Sequence, residues 1–252
     1  MVDSDDPTPS PRPSLGELAA RAELAELFRT TPIPPDSVLD HLEVYMRPQR
    51  ITELIALDAL YRRILDVHGV VMEFGVRWGR HLSVFSALRA TYEPTNFYRR
   101  LIGFDTFEGL HGIAGQDGSS PRIFEGAMAV TPGYEAHLQR VLELHELESA
   151  MAHVRRFELR RGDAADQLAA YLGEHPDTTV ALAYFDLDLY EPTRACLELL
   201  RPHVVRGTII AFDEFMHPDF PGEALAAKEV LDLRHHRLER FPFCPYPAFV
   251  VL

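Results

Sequence analysis

The 252-residue chain is 46% hydrophobic and carries a formal charge of −13 at pH 7, with a pI near 5.3. That apolar content suffices for one well-buried α/β domain, and the acidic balance excludes a surface built to neutralise the phosphates of nucleic acid or of an anionic membrane. The two cysteines, Cys196 and Cys244, lack metal-ligand spacing, the opening "MVDSDDPTPSPRPS" has no basic-then-apolar leader, and no apolar run nears the ~20 residues of a membrane span. A cytoplasmic protein with reduced thiols is expected.

Residues 1–13 are a Pro/Ser/Asp-rich tail with nothing to bury; ordering it would take a neighbouring subunit, so a homo-oligomer is expected. Behind Ser14 as N-cap, Leu15, Leu18, Ala19, Leu24 and Leu27 recur at helical spacing, and "PPDSVLDHLEVYM" and "RITELIALDALYRRILDV" read as two more helices. Residues 14–69 are therefore expected to form a helical cap ahead of a compact domain spanning 70–252. From residue 70 short apolar runs alternate with helical stretches. The runs at 70–76, 100–107, 155–163, 179–188 and 205–215 are expected strands, and the segments around 80–91, 132–149, 164–173, 190–201 and 221–236 are expected helices. "RLERFPF" and "PAFVVL" close the chain as a pair of strands. This alternation, with strands apolar on both faces, predicts a doubly wound, mostly parallel sheet with an antiparallel C-terminal end.

In such a sheet ligands bind beyond the carboxyl ends of the strands, where the strand order reverses. Every expected strand ends in acid: Glu73, Asp105, Asp163, Asp186 with Asp188, and Asp213 with Glu214. "EFGVRWGR" after the first strand places Glu73, Gly75 and Gly79 in the pattern E-x-G-x-x-x-G, with glycines for a tight turn and close backbone approach. Arg77 stands where a dinucleotide-binding loop has its middle glycine, which disfavours a pyrophosphate and hence a nicotinamide-dependent oxidoreductase. Asp105, in "GFDTFEGL", can accept both hydroxyls of a ribose, or else simply form a turn. Together the two motifs favour a nucleoside ligand without diphosphate, which S-adenosylmethionine is. Asp188 and Glu191 have capping-box spacing for the helix at 190, but capping leaves Asp213 and Glu214 unexplained. Hard oxygen ligands on adjacent strand ends suit a divalent cation, Mg2+ first and Ca2+ second, which would offset the repulsion among them.

In order and spacing, "EFGVRWG", "GFDTFEGL", "DLDLYEPT" and "IIAFDEF" resemble the macrocin O-methyltransferase (TylF/MycF-type) family of sugar O-methyltransferases from antibiotic biosynthesis, over roughly residues 70 to 235. The chain departs in the order of Arg77 and Trp78 and in having Glu214 as the second acid. The resemblance implies a class I methyltransferase fold (Rossmann-like) and metal-dependent methylation of a deoxysugar hydroxyl, on a nucleotide-linked sugar or on a natural product. It places S-adenosylmethionine on Glu73, Gly75, Arg77, Gly79, Asp105, Thr106, Phe107, Asp163 and Asp186, with Asp163 near the adenine. It places the metal on Asp186, Asp188, Asp213 and Glu214, and leaves open which of Asp186 and Asp188 is ligand and which is base.

A sugar hydroxyl needs activation, so Asp188 is the preferred general base, and the loop 111–133 is an expected lid with Trp78 and His217 near the acceptor. Two other readings remain open: a catechol-type O-methyltransferase, and a non-catalytic methyltransferase-like binding protein.

Overall fold

The computed structural model describes residues 13–252, so the expected N-terminal tail lies, but for Pro13, outside the described residues. The described chain divides into two compact units, one ending at Ile51 and one running from Thr52 to Leu252. In the first, α1 (Leu15–Arg29) starts on a capping box: the Glu17 amide donates to Ser14 Oγ at 3.2 Å and the Ser14 amide to Glu17 Oε2 at 2.8 Å. The helix expected over 34–46 is broken into α2 (Pro35–Val38) and a 3-10 segment (Leu39–Tyr45), because His41 leaves helical geometry at φ −134°. Next comes α3 (Pro48–Arg62).

The second unit is built on a seven-stranded sheet. In chain order its elements are β1 (Val70–Phe74), α4 (Arg80–Tyr92), β2 (Leu101–Asp105), α5 (Tyr134–Leu147), β3 (Phe157–Arg161), α6 (Ala164–Glu174), β4 (Val180–Phe185), α7 (Tyr190–Leu200), β5 (Val204–Phe212), α8 (Gly222–Val230), β6 (Leu238–Arg240) and β7 (Ala248–Val251). The sheet order is β3-β2-β1-β4-β5-β7-β6, parallel except that β7 runs against both of its neighbours. The order reverses between β1 and β4, which places the ligand crevice above their carboxyl ends. The expected Rossmann-like, doubly wound fold is the fold observed.

Side-chain alternation divides the core into two layers. Val71, Leu101, Leu182, Tyr184, Ile209, Ala211 and Phe249 pack with Leu57, Leu60, Leu82, Phe85 and Leu138 on one face. Met72, Phe74, Ile102, Phe104, Phe185, Ile210 and Phe212 pack with Leu168, Leu197 and Ala227 on the other. In the second layer, strict register sets Phe104, Phe74, Phe185 and Phe212 side by side on four adjacent strands. Their ring centroids are 4.9, 4.6 and 5.5 Å apart along the row. Truncating such a buried ring typically costs about 3–5 kcal/mol.

Elements end earlier than their sequence patterns. The strand expected over 205–215 stops at Phe212: the Asp213 amide still donates to Phe185 O at 2.9 Å, and the chain then turns away. Asp186 behaves alike, its amide donating to Phe74 O at 2.8 Å. The helix expected to 236 stops at Val230, and "RLERFPF" contributes only Leu238–Arg240 to the sheet. Among the described residues no helix is long and apolar enough to cross a membrane.

Candidate active site

The residue after each phenylalanine of the row is one of the expected site residues: Gly75 after Phe74, Asp105 after Phe104, Asp186 after Phe185 and Asp213 after Phe212. Alternation turns these residues to the opposite face from the rings. Above β1, β2 and β4 opens a cleft with about 770 Å3 of empty space, partly open to solvent. Gly75, Arg77, Asp105, Thr106, Phe107, Asp163, Asp186 and Asp188 line it, joined by Leu110, Met128 and Val130 from the loop after β2 and by Pro192 from α7.

Gly75 is fixed by its surroundings. Its φ is 89°, in the left-handed region, and a Cβ there would lie 1.9 Å from the Asp186 carbonyl oxygen, so only glycine lets the turn after β1 pass against the end of β4. Asp105 organises the next turn: the Arg77 amide donates to its Oδ2 at 2.7 Å and the Phe107 amide to its Oδ1 at 2.5 Å. Burial pushes its pKa above the usual carboxylate range, although those amides pull it back. Asp163 caps α6, accepting from the Ala165 and Asp166 amides at 2.9 and 3.0 Å, while also facing the cleft.

Two of the expected cofactor residues, Glu73 and Gly79, do not line the cleft. Glu73 is fully buried beneath the cleft, where its Oε1 sits 3.1 Å from His81 Nδ1. Burial raises its pKa, and only the partnership with His81 opposes that strongly. Gly79, at φ 77°, starts α4 with its Cβ direction blocked at 2.3 Å by Leu138, so it serves packing. His81 was not legible as a site residue. It lies 3.7 Å from Asp186 and 4.0 Å from Asp213, packs against Tyr184 with ring centroids 4.6 Å apart and planes tilted by 43°, and is thus a cation-capable group beside the strand-end acids. Burial disfavours its charged form, but Glu73, Asp213 and Glu53 outweigh burial and raise its pKa.

The acids themselves are crowded. Asp188 is 4% exposed, and burial together with the charge of Asp213 pushes its pKa up to about 7, against the pull of Arg122 and Arg77. Burial, then Asp213 and Asp188, push Glu214 up to about 8 and hold Asp186 well above the usual range. Asp213 accepts the Tyr184 hydroxyl at 2.5 Å. For a divalent cation the donors are right in kind, and the buried Glu214 Oε2 has no hydrogen-bond partner. Their placement does not fit one: among the described residues no group of three or more His, Cys, Asp or Glu is arranged to hold a metal ion. The centre expected from Asp186, Asp188, Asp213 and Glu214 does not form such a group, although Asp213 and Asp188 lie close enough to raise the pKa of Asp186 and Glu214.

The capping-box spacing of Asp188 and Glu191 does not cap α7. The N-cap is Leu189, without side-chain capping, and the Tyr190 amide donates at 2.6 Å to Asp117, which comes from the loop after β2. That loop is packed rather than loose: Leu110, Ala127 and Leu189 form a small core of their own, the Leu110 amide donates to Ala127 O at 2.9 Å, and the Gly126 amide donates to Leu110 O at 2.8 Å. Sequence reading missed Asp117 and Glu223, both fully buried, because their partners lie 73 and 36 residues away in the chain.

Residues 72–215 match the family described as "Methyltransferase domain". No curated protein sequence matches significantly. Among solved structures, CalS11, a calicheamicin methyltransferase, is 45% identical, covers 95% of this chain and 94% of its own, and superposes with a TM-score of 0.93. An apo structure of CalS11, described as a TDP-rhamnose 3'-O-methyltransferase in calicheamicin biosynthesis, is 43% identical over 95% and 96% of the two chains, with a TM-score of 0.84. The O-methyltransferase NovP, 20% identical over 80% and 79% with a TM-score of 0.61, shares the fold. A cleft over the reversal point of a class I sheet, in a chain of this kinship, establishes that the protein belongs to the methyltransferase-domain family and is an S-adenosylmethionine-dependent O-methyltransferase.

Proposed function

We propose that the protein methylates a hydroxyl of a deoxysugar in antibiotic biosynthesis, with a nucleotide-linked sugar as the first acceptor to test. The observation that carries this reading is the identity of 43% over 95% of the chain with a TDP-rhamnose 3'-O-methyltransferase. The motifs shared with the macrocin-type enzymes support a narrower kinship within sugar O-methyltransferases.

The residues around the cleft fit S-adenosylmethionine. Asp105, already pinned by two amides, retains lone pairs that would accept the ribose hydroxyls, and Asp163, Ala164, Arg77, Thr106 and Phe107, which line the same cleft, would hold the rest of the cofactor. When bound, this cofactor supplies an electrophilic methyl group on sulfonium. Asp188 then takes the proton of the acceptor hydroxyl as the O–CH3 bond forms and the S–CH3 bond breaks. Its position at the cleft floor, with a pKa near 7, makes it half-ionised near neutrality. Phe107, Leu110, Met128, Val130 and Pro192 exclude water, and holding the hydroxyl against the methyl supplies the remaining acceleration through proximity. No step is assigned to a cation.

The test is production of S-adenosylhomocysteine from S-adenosylmethionine with TDP-rhamnose, other TDP-deoxysugars and a catechol, each with and without Mg2+. Turnover restricted to the sugars supports the proposal, turnover on catechol alone refutes it, and the Mg2+ arm reports whether the acids recruit a cation. The helix α1 buries none of its residues and exposes Leu15, Leu18, Leu27 and Phe28, which supports a homo-oligomer checked by light scattering. Both cysteines are free and buried, which supports a reducing, cytoplasmic setting.

A further inference from the structure

The residue assigned as base sits on an unusual backbone. Asp188 has φ 63°, and across it the Leu189 amide donates to the Leu187 carbonyl at 2.7 Å, closing a three-residue γ-turn. A non-glycine residue in this conformation is strained and persists only where its surroundings over-determine it. Here the surroundings are two buried carboxylates. Glu223, at the start of α8, accepts the Leu187 amide at 2.8 Å and the Asp188 amide at 3.3 Å on Oε1, and the Glu214 amide at 3.4 Å on Oε2. Asp117, from the loop after β2, accepts the Tyr190 amide at 2.6 Å on Oδ1 and the Ala114 amide at 2.7 Å on Oδ2.

Every backbone amide from Leu187 to Tyr190 is thereby accounted for: two on Glu223, one in the turn itself and one on Asp117. Gly222 completes the arrangement. A Cβ on it would lie 2.5 Å from the Tyr190 nitrogen, 2.6 Å from Asp117 Oδ1 and 2.7 Å from the Asp188 carbonyl, so the start of α8 can approach the turn only as glycine. Both carboxylates are fully buried, and neither lines the cleft.

We propose that Glu223 and Asp117 are positioning residues that clamp the strained γ-turn from two sides, so that Asp188 is presented to the acceptor hydroxyl in one fixed orientation. They touch neither acceptor nor cofactor and act on the reaction through the backbone of Asp188. The proposal rests on Asp188 being the base. It also gives the loop after β2 a role besides covering the cleft: through Asp117 its placement sets the base.

The experiment measures kcat, acceptor KM and S-adenosylmethionine affinity for Glu223→Ala, Glu223→Gln, Asp117→Ala, Asp117→Asn, Gly222→Ala and Asp188→Asn. Misplacing a catalytic group by about an ångström typically costs about 100-fold. Glu223→Ala and Asp117→Ala should therefore lower kcat by roughly 10- to 100-fold while cofactor affinity stays within about threefold. Glu223→Gln and Asp117→Asn, which keep an acceptor oxygen, should recover most of kcat. If the alanine variants do not fold, Gly222→Ala still tests the clamp: it keeps both carboxyl groups but pushes α8 off the turn and Asp117, and must lower kcat. Folded alanine variants or Gly222→Ala with kcat within about twofold of the parent overturn the proposal. So does a loss shared in full by the Gln and Asn variants. Should Asp188→Asn itself retain kcat, the assignment of the base fails, and the clamp with it; a dead Asp188→Asn beside fully active clamp variants refutes the clamp alone.

Discussion

Replacing Asp188 by Asn tests the chemistry most directly, and the structure sets its size and pH dependence. Burial and the charge of Asp213 raise Asp188, Arg122 and Arg77 lower it, and the balance is a pKa of about 7. The ionised form is the base. Its fraction is about one-tenth at pH 6 and about nine-tenths at pH 8, so kcat should rise roughly tenfold across that interval with its midpoint near pH 7. The assay is S-adenosylhomocysteine formation at saturating cofactor and acceptor and constant ionic strength. Removing Arg122, which pulls the pKa down, should move the midpoint upward. Asp188→Asn should lose about 100-fold or more of kcat, and the acid limb should vanish with it. A profile flat within a factor of two from about pH 6 to 8, or an Asn variant retaining more than about a tenth of kcat, would refute Asp188 as the base.

Other consequences are as measurable. Because the folded pKa of Asp188 lies above its unfolded value, the folded state holds the extra proton between about pH 4 and 7, and stability falls as pH rises through that window, by up to about 4 kcal/mol from this group. Asp188→Asn should accordingly raise the thermal midpoint more at pH 8 than at pH 5, read by calorimetry. Gly75→Ala combines left-handed strain with a Cβ 1.9 Å from the Asp186 carbonyl; a loss of roughly 2–5 kcal/mol and at least tenfold weaker cofactor binding should appear in denaturant titration and calorimetric binding. Asp105→Asn leaves β2 in place but disturbs the amides of Arg77 and Phe107, and cofactor affinity should fall about tenfold while acceptor KM changes little.

Strands β1, β2 and β4 were readable because each is apolar on both faces, and the cleft's acidic lining was readable in the acids that follow the apolar runs, as with Asp105, Asp163 and Asp188. Element ends were less so. The pattern "TIIAFDEF" runs on past Phe212 with no Gly or Pro to stop it, and the strand ends only because the chain turns there after a last bond to Phe185. Glu73 is marked by its motif, but nothing in "EFGVRWGR" shows that its side chain meets His81 beside the strand ends. The spacing of Asp188 and Glu191 imitates a capping box, while the true partner of the Tyr190 amide, Asp117, lies in a loop whose local composition is that of a surface segment. Glu223, in "FPGEALAAKEV", looks like an exposed first-turn acid, which is disguised by tertiary contacts that no local pattern encodes. The metal expectation took the four crowded acids as one ligand set, but among the described residues they form no group arranged to hold an ion, with Tyr184 donating to Asp213 and His81 lying near Asp186.

The row of four phenylalanines makes the sheet a ruler. Since Gly75, Asp105, Asp186 and Asp213 each follow one ring, their relative heights are written in strand register and not in the loops. A slip of one residue would displace its acid by about 3.3 Å and turn it to the other face, with a ring thrust among the carboxylates in its place. Loop residues beyond the ruler, apart from Asp117 and its hold on the turn at Asp188, can then change the acceptor they admit without moving the strand-end residues beneath them.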